Sequence, residues 1–102
     1  MPSGGVIAAF RTRPSGKTLD EFHALYAEMS EIVASLPGYF GHKVFKADDG
    51  ELVVIAEWAD RQAFSAWDHH PDHERAKELG KSYLLDEYDV AVGEVFEHHR
   101  KP

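Results

Sequence analysis

At 102 residues the chain has the length of one small domain, and its 43% hydrophobic composition is that of a globular protein. Its formal net charge of −7 argues against binding along a phosphate backbone and against docking to an anionic membrane. There is no cysteine, which excludes disulfides, thiolate nucleophiles and cysteine-based metal sites. We see neither a signal peptide nor the run of about 20 apolar residues that spans a membrane, and we therefore expect a cytoplasmic location.

A strand and a long helix are predicted first. Residues 5–12 contain a continuous apolar run, which is typical of a strand buried on both faces. Thr18 and Glu21 have the spacing of a capping box, in which each side chain satisfies a backbone N–H of the first helical turn. Apolar residues then recur every three or four positions as far as Leu36, and Pro37-Gly38 ends the helix.

Two strands and two shorter helices follow. Residues 39–47 and 51–58 are predicted strands, joined by a tight turn at Asp49-Gly50 because this pair tolerates positive φ. Asp60 can cap a short helix, and Pro71 suits the first turn of another. The end of that last helix stays open, because it can stop at Gly80 or continue through Tyr83 and Leu84.

The order of these elements predicts the fold. With a last strand at residues 89–97 and a frayed tail at 98–102, residues 1–102 form one β-α-β-β-α-β domain. This order predicts an α+β fold of the ferredoxin-like type with a four-stranded antiparallel sheet. The first and third strands are apolar on both sides, yet the helices can cover only one face of the sheet. We therefore predict a homodimer in which two sheets pack into a dimeric α+β barrel.

One segment, residues 57–73, concentrates the candidate functional side chains. Both tryptophans and three of the seven histidines lie in it. Trp67 is either a core residue or, with Phe64, a cavity wall. His73 lies near a helix start, which favours a neutral imidazole that can act as a base, although it can equally serve only in packing. His69, His70 and His73 have spacings seen in metal sites, but adjacent helical residues point apart, and we expect no metal.

Further candidates lie outside that segment. Tyr83 and Tyr88 lie near the join between the last helix and the last strand, where either can donate a hydrogen bond to a bound oxygen or pack as a core tyrosine. His42 alternates with Phe40 and Val44, which predicts that one face of its strand carries all three. That face can line a cavity or a dimer interface. A phosphate-binding loop, a serine nucleophile elbow and a catalytic carboxylate pair are absent from the sequence.

A diffuse set of residues covers nearly the whole chain. It consists of Pro37-Gly38-Tyr39, Glu57-Trp58, Ala63-Phe64, Ala66-Trp67, His70-Pro71, His73, Ala76, Gly80, Tyr83 and Tyr88. In these residues the chain resembles the antibiotic biosynthesis monooxygenase family. The resemblance implies a dimeric α+β barrel with a cavity between each sheet and its helices. Some members oxidise aromatic polyketides with molecular oxygen alone, others degrade haem, and many have no assigned activity.

The two known branches of that family place different groups around the conserved tryptophan, which is matched here by Trp67. Haem-degrading members have a histidine ligand about ten positions later and an asparagine in the first strand, where this chain has Lys77 and Phe10. Lysine is a poor iron ligand, so haem degradation is the least favoured function. Polyketide-oxidising members have an asparagine one helical turn earlier, where this chain has Ala63.

The sequence thus supports three hypotheses. The first is a monooxygenase without cofactor, acting on a small aromatic or quinol-like compound, with His73 as the base and Tyr83 or Tyr88 as oxyanion donor. Its substrate-binding side chains are predicted to be Trp67, Phe64, Phe10, His42 and His70. The second hypothesis is a non-catalytic dimer that binds a small molecule, and the third is a haem protein. In all three the partners are a small ligand and a second copy, not nucleic acid or a membrane.

Overall fold

The computed structural model describes residues 4–102, which contain four strands and three α-helices. In chain order the elements are β1 (Val6–Pro14), α1 (Leu19–Ala34), β2 (Tyr39–Lys46), β3 (Leu52–Trp58), α2 (Arg61–Asp68), α3 (Pro71–Leu79) and β4 (Leu85–Glu94). A π-helical turn at Gly80–Leu84 joins α3 to β4. Across residues 4–102, no helix is long and apolar enough to cross a membrane.

The strands form one antiparallel sheet in the order β2-β3-β1-β4. This confirms the predicted α+β, ferredoxin-like sheet. The last strand begins at Leu85, four residues before the predicted start at Asp89. The reason is the π turn: α3 gives way to it after Leu79, and Leu85 pairs at once with Pro14 at the end of β1. Residues 97–102 contain neither helix nor strand.

The two faces of the sheet have different surroundings. On the face that the helices cover, Ala8 pairs across with Ala56 and Val92, and Phe10 with Val54 and Val90. The other face, which we call the open face, carries apolar side chains that no other described element covers. Its apolar members are Ile7, Ala9, Phe45, Val53, Ile55 and Ala91. Ile7 is 38% exposed and Phe45 is 51% exposed.

A small apolar cluster joins the helices to the covered face. It consists of Val6, Ala8, Val33, Trp58 and Trp67, all at most 8% exposed. Val33 comes from α1 and Trp67 from α2, so the cluster fixes both helices against the start of β1 and the end of β3. Burial of such side chains is the main favourable term in folding, at about 1.5–3 kcal/mol for each large one.

The ends of α2 and α3 follow the sequence, whereas the start of α1 does not. The Asp60 carboxylate accepts a hydrogen bond from the backbone N–H of Ala63, as predicted for a helix cap. The predicted capping box at Thr18 and Glu21 is wrong, because the Thr18 side chain makes no capping bond. The backbone N–H of Thr18 instead bonds to the carbonyl of Ser15, and Glu21 accepts the hydroxyl of Tyr83.

A β-bulge changes which side chains of β2 share a face. Tyr39 pairs with Trp58 and Gly41 with Glu57, which leaves Phe40 as an extra residue between two pairs. Tyr39 and His42 therefore lie on the covered face, and Phe40 borders a depression on the open face. The prediction that Phe40 shares a face with His42 is wrong, because simple alternation fails at a bulge.

The two helix starts give a matched test of capping. We expect Asp60→Ala to lower the free energy of unfolding by about 1 kcal/mol, because it leaves an N–H of α2 unsatisfied. Thr18→Val should leave stability unchanged or raise it, because the Thr18 hydroxyl is buried without a partner. Urea denaturation followed by circular dichroism measures both. Equal losses in the two variants would contradict this assignment.

Candidate functional site

A cavity of about 560 Å³ lies between the covered face of the sheet and the helices. Small side chains at the centre of the sheet, Ala8 and Ala56, leave this space, while larger apolar groups surround it. Its wall is mainly aromatic and aliphatic, as in most small-molecule sites. The polar or titratable residues in the lining are Tyr26, Ser30, Tyr39, His42, Asp68, His73, Lys77, Lys81 and Tyr88.

His73 is the group best arranged for proton transfer. Its ring stacks on the Trp67 indole with centroids 4.1 Å apart and an interplanar angle of 14°. The Nδ1 atom lies 3.1 Å from the carbonyl oxygen of Trp67, and because a carbonyl can only accept, Nδ1 carries the proton. A neutral ring then has Nε2 as an acceptor. Burial lowers the pKa of His73, and the positive charge of Lys77 lowers it further, so the neutral form predominates at neutral pH.

Lys77 is held by two acidic side chains next to His73. Its Nζ donates to the carbonyl and carboxylate oxygens of Asp68, at 2.7 and 2.8 Å, and to Glu74 at 3.0 Å. Partial burial lowers the pKa of Lys77, but these hydrogen bonds and charges outweigh burial and leave the pKa raised. Lys77 is therefore a stable cation in the cavity wall.

A second polar group lies on the sheet side of the cavity. The hydroxyl of Tyr39 hydrogen-bonds to Nδ1 of His42. The Tyr26 ring meets the His42 ring edge-on at 6.0 Å, and the Tyr39 ring packs 5.6 Å from that of Trp58. Burial raises the pKa of Tyr39 to about 12, so its hydroxyl stays protonated. We call Tyr26, Tyr39 and His42 the sheet-side polar cluster.

Six of the eight residues predicted from sequence line the cavity. They are Phe10, His42, Phe64, Trp67, His73 and Tyr88. Tyr83 is not in the lining, and the neighbouring Glu21 carboxylate raises the pKa of its hydroxyl. His70 is not in it either, because its Nδ1 accepts from the backbone N–H of Asp72 and so caps α3. His70 reaches the site only through a ring contact with Trp67 at 6.1 Å.

Sequence reasoning missed Tyr26 and Tyr39, and it did not include Trp58 among the candidate site residues. Tyr26 belongs to the apolar stripe of α1, where its spacing from Phe22 was the available signal. Tyr39 carried no such signal, since only the bulge at Phe40 puts it beside His42. Trp58 is 3% exposed and lines the cavity as well as the core.

Ala63 contributes to the packing of α2 rather than to the chemistry of the cavity. It faces Gly38, where an added Cβ would lie 2.6 Å from the Ala63 Cβ, and Ala63 does not line the cavity. Gly38 also has a φ of +83°, which favours glycine. One turn before Trp67, α2 thus packs closely on Gly38 through a methyl group rather than presenting a polar group to the cavity.

The residues do not fit a metal or haem site. Within residues 4–102, no three His, Asp or Glu side chains are grouped to hold a metal ion. His69 is exposed, His70 caps α3 and His73 bonds to Trp67, so the three histidines do not converge. Lys77 stands where the haem-degrading branch has its iron ligand, and a protonated amine held by Asp68 and Glu74 has no lone pair to offer iron.

Comparison with known proteins identifies related sequences. The family of antibiotic biosynthesis monooxygenases matches residues 4–79. The uncharacterized protein YqjZ of Bacillus subtilis is 34% identical over 74 residues, covering 69% of this chain and 65% of YqjZ. The jasmonate monooxygenase ABM of Pyricularia oryzae is 24% identical over 88 residues, covering 84% of this chain and 41% of that enzyme. The chain thus spans less than two thirds of the length of either relative.

The fold is shared with solved structures. A variant of SnoaB, a cofactor-independent oxygenase from Streptomyces nogalater, superposes with a TM-score of 0.79 at 20% identity, covering 97% of this chain and 100% of SnoaB. Rv0793 from Mycobacterium tuberculosis superposes with a TM-score of 0.79 at 18% identity, covering 94% and 99% of the two chains. At these identities the likeness concerns the fold alone.

The positive charge of Lys77 helps to lower the pKa of His73. We expect Lys77→Gln to raise the pKa of His73, because the positive charge is removed and Asp68 and Glu74 then favour the imidazolium. Protonation of His73 should accordingly begin at a higher pH than in the wild type. NMR titration of the ring carbons measures this directly, with Lys46→Gln on β2 as the charge-matched control. An unchanged or lowered pKa in Lys77→Gln would contradict it.

Proposed function

Because the chain belongs to the antibiotic biosynthesis monooxygenase family, we propose that it is a monooxygenase that oxidises a small aromatic or quinol-like compound with molecular oxygen and no cofactor. The observation that carries this proposal is the neutral, half-buried imidazole of His73, stacked on Trp67 in an apolar cavity. The names of two similar proteins, a jasmonate monooxygenase and a cofactor-independent oxygenase, support oxygen chemistry on this fold. A cytoplasmic location is part of the same proposal.

The proposed reaction begins with proton removal. Nε2 of His73 takes a proton from the substrate, and the resulting anion is electron-rich enough to reduce oxygen. For a ring CH₂ conjugated with a carbonyl, such as that of anthrone, the CH₂ becomes C=O and the second oxygen atom leaves as water. Both electron pairs come from the two C–H bonds that break, so no external reductant is needed.

Other side chains would hold the substrate. Phe10, Phe64 and Trp67 offer apolar and aromatic surface against which a flat ring can pack. Tyr88 on β4 is a candidate hydrogen-bond donor to the developing oxyanion, although its side chain is 51% exposed. Tyr83 and His70 do not line the cavity and have no part in the proposed chemistry.

A second candidate function is ligand binding without turnover. Ala63 favours it, because close packing against Gly38 leaves α2 without the polar group that the oxidising branch carries there. Ligand-induced thermal stabilisation without oxygen consumption would identify this function.

We further propose that two copies pack through their open faces. This face carries a continuous apolar surface that includes Ile7, Ala9 and Ile55, and burial against a second copy removes it from water. The charged pairs Arg11–Glu51 and Arg13–Glu87 border this surface at one end and would limit the relative orientation of the two sheets.

Oxygen uptake tests the role of His73. With anthrone or hydroquinones as substrates, we expect His73→Ala to lower kcat by about 100-fold or more, because general base catalysis contributes on that order. The matched control is His69→Ala, which removes an imidazole whose side chain is 74% exposed and outside the cavity. Equal rates for His73→Ala and the wild type would refute the proposed base.

Sedimentation velocity tests the dimer. The wild type should sediment as a dimer at micromolar concentration, and Phe45→Glu should shift it to monomer, because a buried unpaired carboxylate opposes association. Phe45 is 51% exposed, so the monomer itself should remain folded. Ala27→Glu, on the solvent side of α1, is the control and should stay dimeric. A wild-type monomer would end the dimer proposal.

A further inference from the structure

The sheet-side polar cluster has no part in the reaction proposed above. Tyr39 and His42 come from β2, and Tyr26 from α1, whereas His73 comes from α3. Tyr39 and His42 are joined by a hydrogen bond, and both line the cavity with Tyr26. The Tyr26 hydroxyl in the same wall is buried without a partner, and its desolvation cost would be offset by a ligand group of matching polarity.

Hydrogen-bond chemistry makes this cluster a donor site. The Tyr39 hydroxyl stays protonated, and it shares one hydrogen bond with Nδ1 of His42. If Tyr39 donates this bond, a neutral His42 carries its proton on Nε2, and if Nδ1–H donates it, the Tyr39 hydroxyl proton is free. In both cases the pair has one donor left for a ligand. The Tyr26 hydroxyl is buried near Ser30 and makes no well-formed hydrogen bond with any residue of the described chain, which leaves it as a further donor.

On the helix side of the cavity, His73 offers an acceptor, while the Nζ donors of Lys77 are taken by Asp68 and Glu74. There, Nδ1 of His73 is occupied by the Trp67 carbonyl, and Nε2 is an acceptor. A ligand that hydrogen-bonds to both His73 and the sheet-side polar cluster must therefore present a hydroxyl to the helix side and an acceptor oxygen to the sheet side. The aromatic surfaces of Phe10 and Trp67 between them favour a flat, conjugated frame.

We propose that the Tyr39–His42 pair, assisted by Tyr26, is a binding subsite for the carbonyl oxygen of a hydroxyaryl ketone whose hydroxyl group faces His73. This deepens the proposed function by naming the class of substrate and rests on it for the role of His73. In such a ligand the hydroxyl and the carbonyl are conjugated. Removal of the hydroxyl proton by Nε2 of His73 moves negative charge to the carbonyl oxygen, where donors stabilise it.

Tyr88 is the alternative donor, and two observations favour the sheet-side polar cluster. The Tyr88 side chain is 51% exposed, so water competes for its hydroxyl. The Tyr26 hydroxyl, by contrast, is buried, and the half-buried Tyr39 ring packs on Trp58, which is itself 3% exposed. A donor that packing holds in place loses less conformational freedom when it binds a ligand.

Three matched compounds test the subsite. The probe 6-hydroxy-1-tetralone has a hydroxyl para to its carbonyl carbon. The compound 5,6,7,8-tetrahydro-2-naphthol lacks the carbonyl, and 1-tetralone lacks the hydroxyl. Dissociation constants are measured by isothermal titration calorimetry in deoxygenated buffer, so that the result does not depend on turnover. We expect the probe to bind about fivefold to tenfold more tightly than either control, the worth of one buried hydrogen bond.

Variants then assign the carbonyl contact. Tyr39→Phe and His42→Phe should each weaken probe binding about fivefold and leave tetrahydronaphthol binding within about twofold, because only the carbonyl contact is lost. Tyr83→Phe is the matched control, since Tyr83 bonds to Glu21 outside the cavity. It should leave the affinities for all three compounds unchanged.

Several results would overturn the subsite. They are no binding of the probe, equal loss of probe and tetrahydronaphthol affinity in Tyr39→Phe and His42→Phe, and loss of carbonyl discrimination only in Tyr88→Phe. These outcomes are separate from failure of the proposed oxygenase. Normal oxygen uptake that depends on His73, without carbonyl discrimination, removes the subsite alone. Carbonyl discrimination without any oxygen uptake keeps the subsite and removes the enzyme.

Discussion

Packing of five buried side chains against one end of the sheet is the interaction on which the rest of the structure depends. Val33 of α1 and Trp67 of α2 meet Val6, Ala8 and Trp58 of the sheet, and this contact fixes both helices. On the same face, the small side chains of Ala8 and Ala56 leave a gap between sheet and helices that becomes the cavity. Stability and function therefore share the same residues, since Trp58 and Trp67 are both core and cavity wall.

That arrangement gives the cavity two polar ends with opposite hydrogen-bonding character. The imidazole of His73 is held neutral by burial and by Lys77, and its one proton is directed to the Trp67 carbonyl. On the sheet side, the Tyr39 hydroxyl and Nδ1 of His42 share one hydrogen bond, which leaves the pair a proton to donate. The helix wall thus offers an acceptor at His73, and the sheet wall offers a donor from the Tyr39–His42 pair.

Much of the fold could be predicted because its signals are local. The turn at Asp49-Gly50 and the cap at Asp60 depend on residues within a few positions of each other. The prediction of a capping box at Thr18 failed, because the Thr18 hydroxyl makes no capping bond, and Glu21 instead lies near Tyr83, a residue far along the chain. In the site, aromatic and histidine content identified Trp67 and His73, whereas Tyr26 and Tyr39 become site residues only through packing.

By itself, the sequence determined the order of the elements, the two apolar faces of the sheet and the segment that carries the imidazole and the indoles. These follow from hydrophobic periodicity and turn chemistry, which act along the chain. Tertiary structure decided which polar groups face the cavity. The bulge at Phe40 turns Tyr39 towards His42, and Glu21 draws Tyr83 away. These side-chain orientations depend on contacts between residues that are far apart in the chain. One extra residue in a strand also moves the side chains that follow it to the other face of the sheet.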